Sequence, residues 1–151
     1  MSVEKLAEEL AVHVSVLMRA FLVSNRQGAP AEGKLPFNPL YFNLLKLLRA
    51  AGKAKPSEIA EKLIVPRTTV STAIKALQKR ELLETAPSKS DGRSIEVFLS
   101  EQGKEAVEAI LRQDLRNSMA MLLALKDEDR EQFVSSFQEI ASFVESSGSE
   151  N

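Results

Sequence analysis

The segment PSEIAEKLIVPRTTVSTAIKALQKR, residues 56–80, decides the architecture. Pro56 suits the first position of a helix, where its missing N–H does no harm. Ile59, Ala60 and Leu63 then recur at helical spacing, which predicts a short helix over 56–63. Pro66 opens a second helix almost at once. Val70, Ala73, Ile74 and Leu77 fall on one stripe of it, predicting a helix over 67–80. Two helices joined by a three-residue turn form a helix-turn-helix.

The other face of the second helix carries Arg67, Thr68, Thr69, Ser71, Thr72 and Lys75. Solvated helix faces usually carry Glu and Lys, which have good helix propensity. Hydroxyl residues crowded into the first turns cost propensity. Their short side chains let a backbone approach a surface closely. They can donate to phosphates, and a threonine methyl can touch a thymine methyl. The first turn of a recognition helix is where such contacts concentrate. The plain alternative is a water-facing helix that happens to be rich in threonine.

Downstream, LLETA and SIEVFLS flank the loop of APSKSDGRSIEVF, residues 86–98. Ile95, Val97 and Leu99 alternate with Glu96 and Phe98, the two-residue period of a half-buried strand. Asp91-Gly92 is a turn signal. The pattern predicts a β-hairpin with a long loop that carries Arg93 at its tip. Beside a helix-turn-helix, such a wing can bring Arg93 into a neighbouring minor groove. Asp91 is expected to hold the guanidinium, and Lys89, with Ser88 and Ser90, to add phosphate contacts. A surface loop with one solvated ion pair is the bland alternative.

Working outward, Leu40, Leu44, Leu45, Leu47 and Leu48 predict a helix over 39–51, with Gly52 as its stop. Val3, Leu6, Leu10, Val14, Leu17 and Phe21 predict a helix over about 3–25. The glycines and prolines of RQGAPAEGKLPFNP separate the two. On the other side, long helices are expected over about 101–125 and 128–146, with Asp127 as cap of the last. SSGSEN reads as a frayed tail.

At 151 residues the chain is about one domain long. It has no cysteine and one histidine, His13. Disulfides, thiolate metal sites, thiol switches and multi-histidine sites are therefore excluded. His13 reads as a polar-edge or interface residue. No apolar run approaches the roughly 18 residues that span a bilayer, and MSVEKLAEEL does not resemble a secretion signal. A cytoplasmic protein without membrane contact is expected.

Net charge is −1, but it is unevenly distributed. Residues 53–93 carry nine Lys/Arg against five Asp/Glu, a balance of +4. Residues 94–151 carry five against twelve, or −7. A basic segment on an acidic body fits a molecule of which one part meets phosphate. Adjacent acids such as Glu8–Glu9 and Glu128–Asp129 point in different directions on a helix, so no convergent carboxylate site is expected. With no Gly-rich phosphate loop, nucleophile elbow or metal-spaced cluster, neither an enzyme nor a cofactor is expected.

From about Leu40 to Ile110 the chain resembles the winged helix-turn-helix regulators of the MarR (multiple-antibiotic-resistance) family. The resemblance rests on SEIAEKL, on PRTTVSTAIKALQKRELL, and on the wing SDGRS followed by IEVFLSEQGKEAVEAI. Its specific parts are the D-x-R wing and the strand leading into an L-S-x-x-G-K helix start. It implies a mainly α fold with a small β-hairpin wing, flanked by N- and C-terminal dimerisation helices. The corresponding division is 1–38, 39–100 and 101–151. It further implies a homodimer that reads a palindrome in double-stranded DNA, with repression relieved by a small apolar or aromatic effector. The DNA-binding residues would be Arg67, Thr68, Thr69, Ser71, Thr72, Lys75, Lys89, Asp91 and Arg93.

Phe37, Tyr41 and Phe42 could line a pocket for such an effector, although packing of the second helix also accounts for them. Phe133, Phe137 and Val144 are expected at a dimer interface. The chain has Ile64 and Glu81 where the family usually has glycine, after the first and second helices of the motif. If those positions needed positive φ, Ile64 would be costly, so an adjusted backbone is expected at both. The modest basic complement leaves one rival, a winged-helix module that binds protein and not DNA.

Overall fold

A computed structural model of the chain describes residues 1–27, Leu35 and 38–148, with the backbone alone at 22–27. Among the described residues six helices and three short strands follow one another. They are α1 (Val3–Gln27), α2 (Pro39–Ala51), β1 (Lys53–Ala54), α3 (Pro56–Leu63), α4 (Arg67–Lys79), β2 (Leu83–Pro87), β3 (Ile95–Leu99), α5 (Glu101–Leu123) and α6 (Arg130–Gly148). A short 3-10 turn, Asp127–Asp129, precedes α6. No helix among the described residues is long and apolar enough to cross a membrane.

Local chemistry sets the helix limits. Asn38 caps α2 by accepting from the backbone N–H of Leu40 (3.0 Å) and Tyr41 (3.3 Å). Gly52 ends it at φ 81°, with its N–H on the Leu48 carbonyl. Ser100 caps α5 by accepting from Gly103 N–H at 3.0 Å. The last helix departs from expectation: Asp127 does not cap it. Asp127 lies inside the 3-10 turn and pairs with Arg130 at 2.6 Å. Helix α6 runs to Gly148, so Ser146 and Ser147 are helical and not a frayed tail.

The core lies between α2, α3, α4, the sheet and the N-terminal half of α5. Leu44 and Leu45 of α2, Ile59 of α3 and Val70 and Leu77 of α4 are fully enclosed, with Val97 of β3 and Val107 of α5. Each such aliphatic side chain contributes about 1.5–3 kcal/mol by leaving water. The stripe predicted for α4, Val70, Ala73, Ile74 and Leu77, is buried throughout.

The sheet has the order β1-β3-β2, all antiparallel. The hairpin was legible; β1 was not. Two residues are too few to show a period, and β1 forms only because Lys53 and Ala54 pair with Phe98 and Val97. Val97 and Leu99 face the core as expected, but Ile95 is 44% exposed. It pairs with Pro87 at the outer end of the hairpin, beyond the reach of the helices.

The backbone is not adjusted at Ile64 and Glu81. Both residues are left-handed, with φ of 54° and 63°. At α3, Val65 N–H bonds the Ala60 carbonyl (3.1 Å) and Ile64 N–H the Glu61 carbonyl (3.3 Å). At α4 the same two bonds run from Leu82 to Leu77 (3.0 Å) and from Glu81 to Gln78 (2.9 Å). This is the Schellman closure, which requires a left-handed residue after the helix whatever its side chain. The buried pair Leu77 and Leu82 holds it apolarly at α4.

Candidate nucleic-acid interface

Helix α4 starts without a side-chain cap, because its N-cap residue is Pro66, and it has no acid in its first turn. The first N–H groups of a helix lack internal acceptors and carry the positive end of its dipole. At α4 they stand beside Arg67, Thr68 and Thr69, all exposed. Ser71, Thr72 and Lys75 continue the same exposed face. The unoccupied cap is a feature the sequence reading missed. Pro66 in the cap position was its signal.

The hydroxyls are not equivalent. Thr72 Oγ1 donates to the Thr68 carbonyl at 3.0 Å. Its proton is engaged within the helix, so Thr72 offers a surface its methyl group and lone pairs. Thr68 and Thr69 form the rim of a cleft of about 360 Å3 that Asn38, Leu40 and Tyr41 of α2 close on the other side. Tyr41 is half-buried there. Phe42, by contrast, is 6% exposed and fills the core, and Phe37 lies outside the described residues.

The wing is organised by Asp91, in a different way from that expected. Asp91 Oδ1 accepts from the backbone N–H of Arg93 at 3.1 Å, and its carbonyl accepts from Ser94 N–H at 3.2 Å. Among the described residues no ion pair joins Asp91 to the Arg93 guanidinium. The carboxylate shapes the turn and leaves the guanidinium to project. Gly92 does not adopt positive φ, so this turn draws on Asp91 and not on the freedom of glycine.

Ser88 was expected to touch phosphate and is instead buried. Its hydroxyl lies 3.0 Å from that of Ser90 and donates to Glu96 at 3.2 Å. Ser88 N–H closes the loop on the Ser94 carbonyl at 2.9 Å. Lys89, Asp91 and Arg93 remain exposed. Glu96 also pairs with Lys53 of β1 at 3.1 Å. That hydrogen bond, against an opposing effect of burial, holds the Glu96 carboxyl below the ordinary value of 4.5. A brace of 3.4 Å from Gln78 Nε2 to Thr85 Oγ1 ties α4 to β2.

On the body, Lys46, Arg49, Lys53 and Lys104 are matched with Asp114, Glu108, Glu96 and Glu101. Among the described residues Arg67, Lys75, Lys89 and Arg93 have no carboxylate partner. Cations such as Lys5, Arg19, Lys62 and Arg112 also stand without an ion pair elsewhere among the described residues, but these four share the surface of α4 and the wing, where a polyanion is their natural counter-charge.

Residues 37–95 match the sequence profile of the MarR family. The transcriptional regulator PecS of Dickeya dadantii (strain 3937) is 22% identical over 120 residues, which are 78% of this chain and 72% of PecS. Among solved structures, Streptococcus pneumoniae FabT in complex with DNA superposes with a TM-score of 0.80 at 15% identity, covering 93% of this chain and 98% of FabT. Bordetella bronchiseptica BpsR, whose DNA binding is regulated by 6-hydroxynicotinic acid, gives 0.65 at 19%, covering 88% and 98%. At such identities the solved structures bear on the fold, while the profile covers the helix-turn-helix and most of the wing, the parts that carry Arg67, Lys75, Lys89 and Arg93. Residues 37–95 thus carry the profile of the MarR family, and the chain has the winged helix-turn-helix fold of the solved structures it is similar to.

Proposed function

We propose that the protein is a homodimeric cytoplasmic repressor of a palindromic operator, released by a small apolar or aromatic effector. In this reading residues 39–100 are the reading head, and residues 1–38 and 101–151 supply the dimerisation helices. Helix α4 enters the major groove through Arg67, Thr68, Thr69, Ser71, Thr72 and Lys75. The wing lays Arg93 in the adjacent minor groove, with Lys89 on phosphate and Asp91 holding the turn. The observation that carries this reading is the joint exposure, without a carboxylate partner among the described residues, of Arg67 and Lys75 on α4 and of Lys89 and Arg93 on the wing, beside a helix start with no side-chain cap.

Dimerisation is supported by what one chain leaves uncovered. Leu6 and Leu10 of α1, Leu115 and Met119 of α5, and Phe137 and Ile140 of α6 are all at least half exposed. Monomers rarely leave apolar patches of more than a few hundred Å2 in water. Effector release is supported by the cleft between Tyr41 and the threonines of α4, since a molecule seated there would compete with the duplex for the same face.

The test is a salt titration of binding to the chain's own promoter region. Each lost phosphate-type contact flattens the log–log slope by about one unit. Arg93→Ala is expected to weaken binding and to flatten the slope by about that amount. Equal affinity and slope in parent and variant would reject the wing's role.

A further inference from the structure

Ile64 combines two properties that a helix-turn-helix turn has no reason to join. Its backbone is left-handed (φ 54°, ψ 51°), where glycine is unstrained and a β-branched side chain is not. Its side chain is 54% exposed, so it adds little to the core. The reason to keep a side chain there lies in α6. A Cβ built on Gly148 would stand 3.2 Å from Ile64 Cδ1. Ile64 therefore reaches the last residue of α6, at a position that has no side chain of its own.

The surroundings agree with that contact. Glu58, Glu61 and Lys62 of α3, with Ile64 and Glu145 of α6, border one hollow of about 570 Å3. The end of α6 thus lies over the last turn of α3. No residue of α6 is buried among those described. On the opposite side, Ile64 leads through Val65 and Pro66 directly into α4. Val65 is tied back to Ala60, which makes this turn stiff.

We propose that Ile64 is a latch: its side chain seats on Gly148 and holds the far end of α6 against the helix-turn-helix. A displacement of α6 is then delivered to the turn from which α4 starts. Ile64 is a positioning residue in this scheme. The latch goes beyond the reading of α4 as a DNA-binding helix and is tested without DNA, so either idea can fail alone.

Because the chain has no cysteine, the double variant Ile64→Cys, Gly148→Cys carries only two thiols. Mild oxidation is expected to join them within one chain, giving single-chain mass on a non-reducing gel and a 64–148 link on peptide mapping. Thiols that stay free, or a link only between two chains, overturn the proposal. In a second arm, Ile64→Gly relieves the backbone yet removes the latch. Hydrogen exchange at residues 144–148 is expected to accelerate by about fivefold or more, with α4 unchanged and Ile64→Leu close to the parent. A merely strained surface residue would show no such change, and rates at 144–148 within about twofold of the parent overturn the latch.

Discussion

Glu81 shows how a single residue can be held against its own preference. Its φ of 63° is imposed by the closure of α4, and its carbonyl accepts from Ser100 Oγ at 2.6 Å. A left-handed L-residue costs about 1–2 kcal/mol, partly offset when glycine, freer in the unfolded chain, replaces it. Glu81→Gly is expected to stabilise by about 0.5–1 kcal/mol, seen in urea as a raised midpoint with an unchanged slope. Gly103 is the reverse case. A Cβ there would collide with the Leu82 carbonyl oxygen, so Gly103→Ala is expected to lower stability by about 1–3 kcal/mol in the same measurement. At Glu96 the folded carboxyl titrates below 4.5 because Lys53 bonds its charged form. A depressed carboxylate adds stability above its unfolded value, and that stability is lost as pH falls through the folded one. NMR titration of Glu96 should show a midpoint below that of an exposed glutamate, returning towards it in Lys53→Met.

Among the elements, the wing and α4 act as a braced pair. Gln78 meets Thr85, Ser88 closes on Ser94, and Asp91 orders the tip. This gives Asp91 a role whose sign can be read. Removing an acid from a DNA-facing surface should strengthen binding by Coulomb attraction alone. If Asp91 is there to shape the turn, Asp91→Ala should instead weaken binding while leaving thermal stability almost unchanged. Tighter binding by Asp91→Ala in the salt-titrated assay would refute the ordering role. The turn between α3 and α4 is likewise decided by hydrogen bonds, since both helices end on the same two-bond closure despite different side chains.

For the whole molecule, the described residues divide into a lobe with a closed core and helices with open apolar faces. α2 is clamped to α5 by Lys46–Asp114 and Arg49–Glu108, at 2.9 and 2.6 Å. α1, the C-terminal half of α5 and α6 find no comparable cover. Sedimentation at micromolar concentration should give a dimer, and Ile140→Glu, which would bury a charge in the open face, should shift it towards monomer. A parent that sediments as a monomer would remove the basis for two reading heads. Given a dimer, half-site centres are expected about 10 base pairs or a multiple apart.

Periodicity alone determined the helix-turn-helix, the hairpin and the two outer helical regions, because hydrophobic burial imposes a spacing of 3.6 or 2 on whatever sequence satisfies it. The exposure of the threonine face was legible in the same way, as the complement of the buried stripe in α4. Tertiary structure alone decided the rest. β1 exists only through pairing with β3. The left-handed backbone at Ile64 follows from helix closure, which outweighs residue preference. Ser88 and Asp91 exchanged the roles expected of them for structural ones, because a loop must first satisfy its own polar groups. Phe42 belongs to the core because α2 turns it inward, and spacing cannot distinguish an aromatic that packs from one that lines a pocket. Such features depend on which distant groups arrive at one point in space, information that local patterns do not carry.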